Sequence, residues 1–317
     1  MEGHLLDVAL LAGGFLLLAK GAHWLVGGSS ELARRWGVST LVVGLTVVAW
    51  GTSAPEVVVS ALAAAEGKPG IALGNVLGSN VANVGLVLGA CALVLPRVLH
   101  AALTPRDAAW LLVALGGAWW TMTDGSLSRA DGLLLCALFG AYSAHLYVGA
   151  RRGRIDPGEI TGDPHPWRDV VLGTLAVALG AKLCVMGAEN VALALGVSQR
   201  VVGLTVVAFG TSLPELAAGL GGALRGQSEI SVGNVVGSNV FNVLAVLGLV
   251  GLIAPFEAAD GEVQVALERA DAVDFPVVLA FSLAAIALPW VAGARGGRWK
   301  GALLLAAYVV YVRALFA

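Results

Sequence analysis

GLTVVAWGTSAPE at residues 44–56 recurs as GLTVVAFGTSLPE at 203–215, and GNVLGSNVANV at 74–84 recurs as GNVVGSNVFNV at 233–243. Each pair is 159 residues apart, half of the 317-residue chain, and the copies differ only at Trp50/Phe209, Ala54/Leu213, Leu77/Val236 and Ala82/Phe241. The same offset pairs Gly28 with Gly187 and Gly37-Val38-Ser39 with Gly196-Val197-Ser198, so the register continues upstream without a gap. A fixed-offset repeat marks a duplicated unit of about 150 residues. It divides the chain into a first repeat (1–150), a short linker (151–168) and a second repeat (169–317).

The repeated unit is built for lipid. Only 13% of residues are charged and 58% are hydrophobic, and the mean hydropathy is +0.84. A water-soluble domain carries about 25% charged residues, so that class is excluded. The formal charge of −2 gives no basic field, which excludes nucleic acid as the main partner. Cys91, Cys136 and Cys184 lie in apolar runs without metal-ligand spacing and read as small buried hydrophobes. The 43 glycines suit helices that approach closely in a membrane. No cleavable signal peptide stands out at the N-terminus.

A bilayer core of about 30 Å needs about 20 apolar residues per helix. Ten such runs are expected, near 5–28, 41–64, 71–94, 107–122, 129–148, 169–194, 201–224, 231–253, 272–291 and 299–316. The expectation is therefore an all-α integral membrane protein of ten transmembrane helices in two five-helix repeats. Five is odd, so the second repeat enters from the opposite side, an inverted topology typical of secondary transporters. Alternate loops carry Arg34, Arg35, Arg97, Arg106, Arg151, Arg152, Arg154, Arg168, Arg225, Arg295, Arg298 and Lys300 on one side. The other side has Lys68, Arg129, Arg200, Arg269 and Arg313. Positive charge favours the cytoplasm, so both termini are expected outside a multi-pass protein of the cell membrane. The acidic loop Glu257–Asp274 would face outward, either concentrating cations or simply solvated.

Glu56 and Glu215 fall in the middle of apolar spans at matching places in the two copies, without a Lys or Arg in either motif. An ionised side chain there costs about 2.5–3.5 kcal/mol on insertion scales, so it marks function and needs a partner. A soluble cation is the partner the sequence suggests. Gly51-Thr52-Ser53-Ala54-Pro55 and Gly210-Thr211-Ser212-Leu213-Pro214 should break each helix just before its Glu. The breaks would free carbonyls, including those of Ala49 and Ala208, as ligands for a hard cation. Thr52, Ser53, Thr211 and Ser212 lie a helical turn before the carboxylates, and Ser79/Asn83 and Ser238/Asn242 add neutral oxygens on the third and eighth spans. Interhelical hydrogen bonding is the plainer role for those serines and asparagines. Gly74-x-x-x-Gly78 and Gly233-x-x-x-Gly237 would let these helices pack against the broken ones.

An all-oxygen set suits Ca²⁺ or Na⁺ rather than zinc, copper or iron. Two ionised carboxylates balance one Ca²⁺ or two Na⁺, and a third Na⁺ would leave +1, coupling exchange to voltage at about 2.3 kcal/mol per 100 mV. Two like charges in one site also attract H⁺, so acid should inhibit. No catalytic triad or P-loop is present, so an enzyme or ATP-driven pump is disfavoured. An intramembrane hydrolase, a cation channel and a proton-coupled exchanger are the rivals. Glu189 and Lys182 read as an interfacial pair or snorkelling groups, His23 and His145 as packing residues, and Trp119 and Trp120 as an aromatic belt.

With both repeated motifs in view, the chain resembles the sodium/calcium exchanger family of the calcium/cation antiporter superfamily, in its prokaryotic form without a regulatory domain. The resemblance implies inverted five-helix halves, cation sites between helices two, three, seven and eight, and alternating access by sliding of helices one and six. It implies that Glu56 and Glu215 are shared Ca²⁺ and Na⁺ carboxylates and that Thr52, Ser53, Thr211 and Ser212 are hydroxyl ligands. Ala49 and Ala208 match carbonyl donors, Ser79 and Ser238 outer sodium ligands, and Asn83 and Asn242 the central polar pair. Some relatives carry Asp where this chain has Asn242, so potassium dependence is not expected. No cofactor and no obligate protein partner is implied; the substrates would be Ca²⁺ and Na⁺, with H⁺ competing and the lipid bilayer as surroundings.

Overall fold

The structure, a computed structural model, describes residues 2–100, 103–152, 165–195, 208–257, 261–291 and 297–315. Gly196-Val197-Ser198, the GLTVV half of the second motif, most of the linker, and Arg154, Arg200 and Arg295 lie outside these residues.

The described chain is helical apart from one two-residue strand pair. In order it forms α1 (Glu2–Trp36), α2 (Thr40–Thr52), α3 (Ala54–Ala65), α4 (Pro69–Val94), α5 (Pro105–Thr121), α6 (Arg129–Arg152), α7 (Pro166–Ala194), α8 (Ala208–Thr211), α9 (Leu213–Leu224), α10 (Ser228–Ile253), α11 (261–287) and α12 (Gly297–Ala314). Strands Ser126–Leu127 and Phe256–Glu257 pair antiparallel and tie two loops together. Among the described residues six helices are long and apolar enough to cross a membrane, or seven when the bent pair α2–α3 counts as one span. The other expected spans fall short of that test for local reasons. α5 has 17 residues, the stretch before α8 is not described, and α12 carries Arg298, Lys300 and Arg313.

Burial orders the bundle. The most apolar window of α4 is 78% buried and that of α10 is 72% buried, against 17% for α6. α4 and α10 therefore form the centre, and α6 presents Leu133 and Tyr147 outward, where exposed apolar side chains suit lipid.

The repeat in sequence is reproduced as local geometry. α3 and α9 both end in a glycine with positive φ, Gly67 at 73° and Gly226 at 72°. Lys68 N–H bonds Ala63 O and Gly67 N–H bonds Ala64 O; Gln227 and Gly226 make the same bonds to Gly222 and Ala223. This crossed pair of bonds is a Schellman end, which requires a left-handed residue and so favours glycine. π-helical turns begin at Asn83 in α4 and at Asn242 in α10, again one repeat apart.

α1 and α7 pack antiparallel along most of their length through glycines spaced seven residues apart: 14, 21 and 28 on one helix, 173, 180 and 187 on the other. A Cβ on Gly14 would lie 2.8 Å from Gly180 O, and one on Gly173 would lie 2.4 Å from Leu25 N. Such backbone contact replaces hydrophobic driving force in lipid with close van der Waals packing.

One expectation needs correction. Glu257–Asp274 is not a loop throughout: Gly261–Arg269 is helical and runs through a π turn, Ala270–Asp274, into Phe275–Ala287. The segment is amphipathic, burying Leu267 while Gln264 bonds Glu268 on the solvent side, and acidic residues on an exposed face do not oppose a helix. The Trp119 indole N–H donates to Asp271 at 2.6 Å and its ring stacks on Phe275. Trp120, 67% exposed, faces outward as expected. No salt bridge joins Lys182 to Glu189 among the described residues, which leaves snorkelling as the expected role of the two.

Candidate cation site

Both helix breaks form, and they form alike. Ser53, between α2 and α3, has φ −85° and ψ 8°; Ser212, between α8 and α9, has φ −88° and ψ 0°. These are bridge-region values, which a residue adopts where a helix is interrupted. The axes of α2 and α3 bend by 45° across the break. Pro55 and Pro214 sit in the first turn of the following helix, where a missing N–H costs nothing. Glu56 and Glu215 occupy the same first turns, where the positive end of the helix dipole favours a carboxylate.

Both carboxylates are fully buried, and Glu215 faces groups on the opposite side of the repeat boundary. Ser53 Oγ donates to Glu215 Oε1 at 2.8 Å, linking the first repeat to the second. The hydroxyls of Thr52 and Ser238 also lie against Glu215. Ser79 Oγ is 3.5 Å from Glu56 Oε1. Each carboxylate keeps one oxygen, Oε2, without a partner among the described residues. Ser212 Oγ, Asn83 Oδ1 and the whole Asn242 amide are buried without a hydrogen bond as well. Buried polar atoms are nearly always paired, so this concentration of unpaired oxygens marks a place where a ligand belongs.

The remaining expected ligands divide. Thr52 Oγ1 is shared between Asn234 Oδ1 at 3.1 Å and Ala49 O at 3.3 Å. Ala49 O is not freed by the break: it also accepts Ser53 N–H at 3.0 Å and faces Ser238 Oγ at 3.5 Å. The reason is the i−4 rule, since Pro55 withdraws its donor from Gly51, not from Ala49. Thr211 ends α8, and Ala208 begins it, with the residues before Ala208 not described. Gly233 and Gly237 pack against α2 as expected, a Cβ on Gly237 falling 2.5 Å from Leu45 O. The partner segment expected for Gly74 and Gly78 lies outside the described residues.

Three asparagines of the repeated motif, Asn75, Asn234 and Asn239, not singled out from sequence, hold this arrangement together. Asn75 Nδ2 donates to Glu56 O at 3.4 Å and Asn234 Nδ2 to Glu215 O at 3.2 Å, so each tethers the backbone of a carboxylate. Asn239 Nδ2 donates to Asn80 O at 3.2 Å, and Asn83 Nδ2 donates to Asn239 Oδ1 at 3.0 Å. Because the Asn83 amide N–H is used there, its carbonyl oxygen is the end turned free. Their identity in both copies was the available signal. Asn239→Ala is expected to leave Asn83 Nδ2 unpaired and to lower stability by about 1–2 kcal/mol. A fall in the thermal midpoint of the detergent-solubilised protein checks it, and an unchanged midpoint counts against this bonding.

Among the described residues no group of three or more His, Cys, Asp or Glu could hold a metal. Two carboxylates among hydroxyl and amide oxygens suit a hard cation. An apolar helical bundle with such a site at its buried centre belongs to the class of membrane carriers. The comparisons give the family: the sodium/calcium exchanger protein model matches residues 6–148 and 169–317. The putative antiporter CaxA of Alkalimonas amylolytica is 37% identical over 96% of each chain. The sodium/calcium exchanger MaX1 of Methanosarcina acetivorans is 31% identical over 96% of each. A structure of the sodium-calcium exchanger NCX_Mj, soaked with Na⁺ and Ca²⁺, superposes with a TM-score of 0.80 at 35% identity over 98% of both chains. The chain belongs to the sodium/calcium exchanger family of membrane antiporters, in the prokaryotic form that lacks a regulatory domain.

Proposed function

We propose that this protein exchanges Na⁺ for Ca²⁺ by alternating access, through one site near the membrane midplane that opens to each side in turn. The observation that carries this reading is the pair Glu56 and Glu215, fully buried, one from each repeat, each with one carboxylate oxygen unpartnered among the described residues. The bound ion would be held by both carboxylates with Thr52, Ser53, Thr211, Ser212, Ser79, Ser238, Asn83, Asn242 and the carbonyls of Ala49 and Ala208. An amide at position 242 keeps the site at −2, which one Ca²⁺ or two Na⁺ neutralises.

Ten membrane helices in two inverted halves complete the reading, with both termini outside the cell membrane and Ca²⁺ leaving the cell against entering Na⁺. Counterflow tests it. In reconstituted vesicles, ⁴⁵Ca²⁺ uptake should require an opposing Na⁺ gradient and reverse when that gradient is reversed. Uptake without any gradient would indicate a channel, and uptake driven by a pH gradient alone would indicate a proton-coupled exchanger. Protons should compete for the paired carboxylates, so Na⁺-driven uptake should fall as pH falls.

A further inference from the structure

Outside the cation site, a crevice of about 290 Å³ opens between α1, α7 and the end of α9. His23, Trp24, Gly27 and Glu31 of α1 form one wall, Asp169 of α7 another, and Arg225 closes it. The Arg225 guanidinium lies across Gly27, its Nη1 2.9 Å from where a Cβ would stand, so glycine makes room for the charge. Lys20 adds a second cation beside the crevice, its Nζ 5.3 Å above the Trp24 ring.

Both signs of charge line one small space. Among the described residues no ion pair joins Arg225 to Asp169 or to Glu31. Glu31 instead binds Arg34 and Arg35 at 2.5 and 2.9 Å, and Asp169 binds Arg168 at 3.1 Å. The crevice also sits where a bilayer surface belongs. Trp36 and Trp167, both exposed, pack at 5.6 Å between ring centroids at this end of the bundle, as interfacial aromatics do. Next to Arg225, Leu224 is 75% exposed, and Val171 and Leu172 of α7 are exposed as well, giving an apolar approach for acyl chains. This is the end that the Lys and Arg count assigns to the cytoplasm.

We propose that the crevice binds the headgroup of an inner-leaflet phospholipid carrying a primary amine, phosphate toward Arg225, His23 and Lys20, ammonium toward Asp169 and Glu31. A guanidinium suits a phosphate through paired N–H donors, and a primary ammonium offers three donors to the two carboxylates. A lipid with an uncharged glycerol headgroup brings the acids no further cation, and a trimethylated amine offers them no N–H. The lipid would bridge α1 and α7 to α9. The proposal depends on the membrane setting and not on which ions are exchanged.

Native mass spectrometry of the delipidated full chain tests it, with equal amounts of phosphatidylethanolamine, phosphatidylglycerol and phosphatidylcholine. Phosphatidylethanolamine should be retained preferentially, and Arg225→Ala and Asp169→Asn should each lower its retention about tenfold, as expected for one lost charge-assisted bond. Arg106→Ala, an exposed cation on α5, should change nothing. Gly27→Leu should reduce retention by filling the crevice, and circular dichroism matching the parent chain shows that it has folded. Millimolar phosphoethanolamine should not displace the lipid, because the acyl chains contribute. Displacement by that soluble headgroup would overturn the lipid assignment. Equal retention of all three lipids, or retention unchanged by both Arg225→Ala and Asp169→Asn, would overturn the site.

Discussion

Glu56→Gln and Glu215→Gln should each abolish Na⁺-driven Ca²⁺ transport while leaving a folded protein in the membrane. Glutamine matches glutamate in shape and keeps an acceptor oxygen, so the bond from Ser53 to residue 215 at 2.8 Å survives the change. What is lost is one of the two negative charges in a site sealed from water on all sides. A Ca²⁺ ion that enters such a site sheds its hydration, and only the full charge of both carboxylates offsets that cost. Leaving a buried ion with half its countercharge costs about 3 kcal/mol or more, over a hundredfold in affinity. The fold should not suffer, because an amide is less costly to bury than a carboxylate without its cation. Two readouts separate these effects. Ca²⁺ should raise the thermal midpoint of the parent protein, as any ligand of the native state does, and should no longer raise that of either variant. Normal flux in the doubly substituted protein would end the proposal.

Much of this site was legible in the sequence, because the repeat supplied two independent copies of one pattern. Breaks at Ser53 and Ser212, carboxylates in the next turn and glycine-mediated packing of α10 on α2 all follow from residue chemistry at fixed offsets. What sequence could not give was the pairing across the boundary. That Ser53 would donate to Glu215, while Ser212 keeps a free hydroxyl beside its own break, depends on how two halves dock. The three tethering asparagines were visible but undistinguished, since a buried amide in a helix reads equally well as ligand or as brace. Propensity also misled at Gly261–Arg269, where charge suggested a loop and an amphipathic face made a helix.

The places where the copies differ have a structural account of their own. Trp50 stands where the second repeat has Phe209, and Phe241 where the first has Ala82. These two larger rings meet, with centroids 6.3 Å apart, and both pack on Phe139 of α6 at 5.5 Å. The duplicated halves are therefore alike at the carboxylates and unlike beside them, where aromatic bulk fills one flank of the boundary. Ion chemistry constrains ligand positions in both copies, whereas packing needs only that the combined volume be right.

Gly173→Leu should be the most damaging single substitution outside the cation site. At this position α7 meets α1 backbone to backbone, and a Cβ would stand 2.4 Å from Leu25 N and 2.8 Å from Gly21 O. Neither neighbour is a flexible side-chain end, so the helices themselves must separate. Separation cannot be confined to one turn, because Gly14 against Gly180 and Gly187 against Asp7 and Leu11 continue the same contact on straight helices. Overpacking of this kind costs about 1–3 kcal/mol where a core can adjust. In lipid there is no hydrophobic gain from bringing the helices together, so lost contact is not recovered elsewhere. Expected outcomes are a much reduced yield of monodisperse protein and a lower thermal midpoint, with Gly173→Ala showing a smaller effect in the same direction. Gly140→Leu, on an exposed face of α6 with nothing within 4 Å of its Cβ position, should leave both measures near those of the parent. Equal yield and midpoint for Gly173→Leu and Gly140→Leu would show that α1 and α7 do not rely on this glycine seam.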